Sequence, residues 1–131
     1  MSNASHIGHV HPAEIERARA GLRNEADYAG LAALFAALAD PTRAKIIHML
    51  LLVEMCTSDL AVVAGISDSA VSQHLRVLRA LRLVRSRRSG KFLYHSLDDN
   101  HVALLVQLGL AHGDEVAREV ESCLVGASGR A

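Results

Sequence analysis

The sequence predicts a mainly α-helical protein with one small β-hairpin, and three observations carry that reading. Half of the 131 residues are hydrophobic but only 3% are aromatic, so the core is built from Leu, Val, Ala and Ile, which suits packed helices. Apolar residues recur at helical spacing over several stretches, and the period changes to that of strands only between Leu83 and Leu97. Two short helical stretches also meet at Gly65, and the second opens with a run of capping residues. The length is that of one domain, small enough that pairing with a second copy would add useful buried surface.

The elements follow in order. Residues 1–11 carry His6, His9 and His11 without an apolar period and read as a mobile arm. Pro12 suits the first turn of a helix that Glu14 and Glu16 favour near its positive end, and this helix is expected to stop near Asn24. Tyr28 to Leu38, nearly all Ala and Leu with Phe35, reads as a buried helix ending at Asp40-Pro41. Asp40 or Thr42 caps the next helix, whose buried stripe is Ile46, Ile47, Leu50 and Leu51. Thr57 or Ser58 starts a helix that runs to Ala64, with Gly65 as its stop. Ser67 or Asp68 caps the following one, with Val71, Leu75, Leu78 and Leu81 at helical spacing.

Leu83–Arg87 and Phe92–Leu97 then read as two strands joined through Arg88-Ser89-Gly90-Lys91, a hairpin with a basic tip. Asp98 or Asp99 caps a long last helix through about Val125, and residues 126–131 read as a frayed tail. A helix-turn-helix followed by a basic hairpin is a winged helix. The folded domain is therefore placed at 12–125, with N- and C-terminal helices available for dimerisation.

The formal net charge is zero, but its distribution is uneven. Between Ala70 and Leu97 stand Arg76, Arg79, Arg82, Arg85, Arg87, Arg88 and Lys91 without one Asp or Glu. Such a basic segment on a winged helix points to nucleic acid. Ser67, Ser69, Ser72, Gln73 and Arg76 lie near the start of the second helix, where base edges are met in a major groove. Gln pairs bidentately with adenine and Arg with guanine. Arg85, Arg87, Arg88 and Lys91 suit phosphates, whose counterions they displace. No nucleophile–base set stands out, so an enzyme is not expected. Two cysteines, Cys56 and Cys123, are too few for a secreted disulfide framework, and no apolar run is long enough to span a membrane. The expected location is cytoplasmic.

Ala39-Asp40-Pro41-Thr42-Arg43, Glu54-Met55-Cys56-Thr57-Ser58-Asp59-Leu60 and Ser69-Ala70-Val71-Ser72-Gln73-His74-Leu75-Arg76-Val77-Leu78 resemble the ArsR/SmtB family of metalloregulatory repressors. The resemblance covers roughly Pro12 to Glu115. It implies a homodimer that binds an inverted repeat in operator DNA and loses affinity for it when an inducer binds.

Asp99, His101, His112 and Glu115 form a candidate metal site. His101 and His112 share one stripe of a helix but stand roughly 16 Å apart along its axis, at about 1.5 Å per residue. Zinc holds nitrogen ligands at about 2.0–2.1 Å, so one helix cannot bring both imidazoles to one ion. An antiparallel second copy can: Asp99 and His101 of one subunit then meet His112 and Glu115 of the other, twice over by symmetry. Two imidazoles and two carboxylates suit Zn(II), with Co(II) or Cd(II) as further candidates. The resemblance implies the same C-terminal-helix site, and a hydrogen bond from His112 to a backbone carbonyl near Leu78.

It also implies a second metal site at Cys56 and Asp59, completed by His9 and His11 of the partner's arm, although Ser58 replaces a Cys that some members carry there. The expected function is thus a metal-responsive repressor released from DNA by Zn(II) or a similar ion. The alternative is a thiol-based redox repressor of the same fold, acting through Cys56 and Cys123.

Overall fold

A computed structural model of the chain describes residues 11–128; His9 of the N-terminal arm and residues 129–131 of the tail lie outside it. The chain divides into two compact units at Leu34 and Phe35. In order, it forms α1 (Pro12–Gly21), α2 (Glu25–Leu38), α3 (Pro41–Leu52), β1 (Met55–Cys56), α4 (Thr57–Ala64), α5 (Asp68–Ala80), β2 (Val84–Ser89), β3 (Phe92–Leu97) and α6 (Asn100–Ser128). Mostly helical, with a three-stranded antiparallel sheet in the order β1-β3-β2, it has the predicted fold class.

In the first unit α1 ends at Gly21, earlier than Asn24, because Asn24 serves the next helix instead: its Oδ1 accepts the Asp27 N–H at 2.9 Å. α2 therefore begins at Glu25, ahead of Tyr28. Arg23 donates to Asp27 at 2.9 Å along the same turn. The expectation that α2 is a buried helix fails in the single chain. Only Ala37 is buried, while Leu31 and Phe35 are about half exposed. An Ala/Leu-rich sequence reports that a face will be covered, not whether its own chain covers it.

In the second unit α3 and α5 are capped as the local signals predict, whereas α4 follows Cys56 without a side-chain capping bond. Asp40 caps α3, accepting from Thr42 N at 2.8 Å and Arg43 N at 3.0 Å; these bonds, the Arg43 one foremost, hold its carboxyl below the usual range. Ile46, Ile47, Leu60, Val71, Leu75 and Leu78 form the fully buried centre, joining α3, α4 and α5. Each such side chain contributes about 1.5–3 kcal/mol through burial. Leu81 sits at the end of this stripe and stays partly exposed. His48, half-buried, lines an apolar cleft of about 490 Å³ with Phe35, Leu38, Leu105 and Leu110.

The hairpin is tighter than expected. β2 runs on to Ser89, which pairs with Phe92, so only Gly90 and Lys91 form the loop. Gly90 has φ +61°, at the first position of a two-residue turn, where a positive φ favours glycine. β1 was not anticipated. Its two residues pair with His95 and Tyr94 of β3, too short a segment to show any alternation of its own.

Candidate nucleic-acid interface and metal-ligand positions

The helix-turn-helix is α4, a turn and α5. Gly65 ends α4 in the left-handed region (φ +71°), and its N–H reaches the Ala61 carbonyl at 2.9 Å. Ser67 caps α5 by accepting the Ala70 N–H at 3.1 Å. The Ser58 hydroxyl, in the first turn of α4, donates to Asp68 Oδ2 at 3.0 Å, fastening the first turns of the two helices to each other. Val71, Leu75 and Leu78 are buried on one face of α5, which leaves Ser69, Ser72, Gln73 and Arg76 exposed on the other. Ser67 is exposed too, with its oxygen engaged as the cap.

Arg85, Arg88 and Lys91 of the wing are exposed and pair with no carboxylate among the described residues. Lys91 Nζ stands 5.5 Å from the Phe92 ring centroid. Arg87 differs. It forms a two-pronged ion pair with Glu54, one prong 3.2 Å from Nε to Oε2, and its guanidinium lies 5.0 Å over the Tyr94 ring. Bonding from Arg87 holds the Glu54 carboxyl below its ordinary range. Glu54 precedes β1, 33 residues from Arg87, so the sequence offered no sign that this arginine is neutralised.

Behind the wing lies a residue that sequence reasoning passed over. His95 is fully buried, with Nε2 2.8 Å from Thr57 Oγ1 and Nδ1 2.7 Å from Ser86 Oγ. Burial, and after it the charge of Arg79, hold its pKa below 6.5. The alternation of β2 and β3 carried a faint signal, since Ser86 and His95 are cross-strand partners on the inner face.

At the far end of β3 the Asp98 N–H donates to the Leu83 carbonyl at 3.0 Å, and α6 begins. Asp99 caps it, accepting from His101 N at 2.9 Å and Val102 N at 3.3 Å. Its other oxygen is 3.6 Å from Nδ1 of His101, which is almost fully exposed. The Val102 bond foremost, and those from His101, hold the Asp99 carboxyl below its usual range. His112 and Glu115 are exposed further along the same helix.

The chain thus brings Asp99 and His101 together but not His112 and Glu115 to them. Among the described residues no group of three or more His, Cys, Asp or Glu stands ready to hold a metal. That is what an eleven-residue helical separation requires. As donors, a pre-aligned carboxylate and an open imidazole fit half of a tetrahedral nitrogen/oxygen site. Of the second set, Cys56 is buried in β1, Asp59 is exposed on α4, and His11 is exposed before α1. The Leu78 carbonyl accepts the Leu83 N–H at 2.9 Å.

Residues 40–86, which hold α3, the helix-turn-helix and the start of the wing, match the profile of the bacterial regulatory proteins of the arsR family. The chain is 38% identical over 112 residues to a cadmium resistance transcriptional regulatory protein CadC homolog of Staphylococcus aureus, covering 85% of this chain and 92% of that protein. It belongs to the ArsR family. Within the family it is also 50% identical over 72 residues to a transcriptional repressor SmtB homolog of Synechocystis sp., a match spanning 55% of this chain and 54% of that one.

In three dimensions this ArsR-family chain superposes on the homodimeric winged helix-turn-helix DNA-binding domain of a possible ArsR-family regulator from Mycobacterium bovis. The TM-score is 0.69 at 27% identity, covering 76% of this chain and 94% of that domain. The family is one of transcriptional regulators rather than enzymes. No helix among the described residues is long and apolar enough to cross a membrane.

Proposed function

We propose that the chain is a cytoplasmic, homodimeric, metal-responsive repressor that binds an inverted repeat in operator DNA and is released when Zn(II), or Co(II) or Cd(II), binds. Its α5 enters the major groove with Ser69, Ser72, Gln73 and Arg76 towards base edges, while Arg85, Arg88 and Lys91 of the wing meet phosphates. The observation that carries the metal reading is the start of α6. Asp99 and His101 are already adjacent and open, whereas the remaining two ligand types lie on the same helix beyond one ion's reach.

His112 and Glu115 of the partner subunit complete the set, and the bound ion supplies a cross-link between the two α6 helices. The family names favour the same reading, since the relatives are called cadmium resistance regulator and SmtB-type repressor. A second site at Cys56, Asp59, His9 and His11 remains part of the proposal. Of the two thiols of the alternative reading, Cys123 is exposed but Cys56 is buried, where an oxidant has little access.

The test is operator-binding anisotropy during a zinc titration. Zinc is expected to weaken wild-type binding by about 5–150-fold, the range of a typical coupling of about 1–3 kcal/mol. His112→Ala is expected to keep operator binding and lose the zinc effect. Undiminished release in that variant would overturn the site.

A further inference from the structure

Arg79, on the last turn of α5, donates through one guanidinium nitrogen to Ser86 Oγ of β2 at 3.4 Å. Ser86 Oγ in turn lies 2.7 Å from His95 Nδ1, and His95 Nε2 lies 2.8 Å from Thr57 Oγ1 at the start of α4. Arg79 can only donate, so Ser86 accepts from it. The hydroxyl keeps its proton and a second lone pair, so it can bond His95 Nδ1 in either tautomer, with Nε2 taking the complementary role towards Thr57. A neutral imidazole, with one donor and one acceptor, satisfies both neighbours, and the depressed proton affinity of His95 keeps it neutral at neutral pH. Four elements are joined in this way through one buried ring: α5, β2, β3 and α4.

We propose that Arg79 is a further DNA-phosphate contact, set at the junction of recognition helix and wing by the relay through Ser86, His95 and Thr57. Three observations support it. At about 100° per residue, Arg79 falls within an arc of about 120° that also holds Ser69, Ser72, Gln73 and Arg76, so it shares the exposed face of α5. It is itself exposed, and no carboxylate among the described residues pairs with it, in contrast to Arg87 and Glu54. One of its five N–H donors is engaged by Ser86, which orients the guanidinium and leaves the others for a phosphate. His95 and Ser86 are positioning residues, acting through Arg79.

The inference rests on the reading that the winged helix binds DNA, and the experiment separates the two. Full-length protein is titrated against a fluorescent random-sequence duplex over a range of salt, because a phosphate contact carries no sequence information. Arg79→Gln is expected to lower the slope of log affinity against log salt by about 0.9, so that the loss of affinity between 50 and 200 mM salt becomes about 3.5-fold smaller. Ser86→Ala is expected to weaken binding when Arg79 is present and to have no further effect in Arg79→Gln. Ser86→Thr, which keeps the hydroxyl, stays at the wild-type level. An unchanged slope in Arg79→Gln, or an equal effect of Ser86→Ala on both backgrounds, would overturn the assignment. A wild-type protein that binds no duplex would instead sink the DNA-binding reading beneath it.

Discussion

Asp99 accepts the backbone N–H of His101 at 2.9 Å through one oxygen, while the other stands 3.6 Å from the His101 imidazole. One carboxylate therefore starts α6 and fixes the spacing of two proposed metal ligands. The two roles separate by substitution. Asp99→Asn keeps a good cap but loses the anionic ligand, so its melting temperature is expected to stay near wild type while zinc affinity falls. Asp99→Ala loses both, with a melting temperature lower by a few degrees. Calorimetry for unfolding and for zinc binding reads the two effects independently.

The apolar residues left open on α6 lead to an expectation about assembly. Leu108 is 69% exposed and Leu104 is 54% exposed, which an isolated helix of this length would not favour in water. Leu108→Glu is expected to raise the dimer dissociation constant at least about tenfold, from roughly 1.5 kcal/mol per Leu removed from an apolar interface. Sedimentation velocity at several concentrations checks this, with circular dichroism showing the helices retained.

Glu54 holds Arg87 away from other anions. Glu54→Gln removes the competing charge, so binding to a random duplex is expected to tighten and its salt slope to steepen by up to about 0.9. A slope identical to wild type would mean that Arg87 does not reach the phosphates even when free.

His95 gives a pH dependence whose sign can be worked out. Its folded pKa lies below 6.5, first through burial and then through the charge of Arg79. Under acid conditions the unfolded chain takes up this proton before the folded one does, so stability falls as pH drops below 6.5 and levels off beneath the folded value. Urea midpoints measured from pH 8 to pH 5 are expected to fall less in His95→Gln than in wild type. Parallel curves would place the acid sensitivity elsewhere.

Much of the fold was legible because its signals are local. Asp40, Gly65, Ser67 and Asp99 each act on backbone groups within four residues, and each occupies a cap or stop that its type prefers. The change of period at Leu83 marked the wing for the same reason. β1 escaped notice because a two-residue strand is defined by its partner on β3 rather than by itself. α2 was read as buried since composition measures how apolar a surface is, while its covering depends on what lies beside it.

For the candidate sites, residue types and spacing alone picked out Ser69, Ser72, Gln73, Arg76 and the four proposed ligands, and the helical rise alone required two chains for one ion. The tertiary structure decided which charges are available. It neutralised Arg87 with Glu54, left Arg79 open, and buried His95 between Thr57 and Ser86. Those pairings join residues up to 38 positions apart. Periodicity and caps report a residue's near neighbours along the chain, and the electrostatics of a side chain are set by neighbours in space.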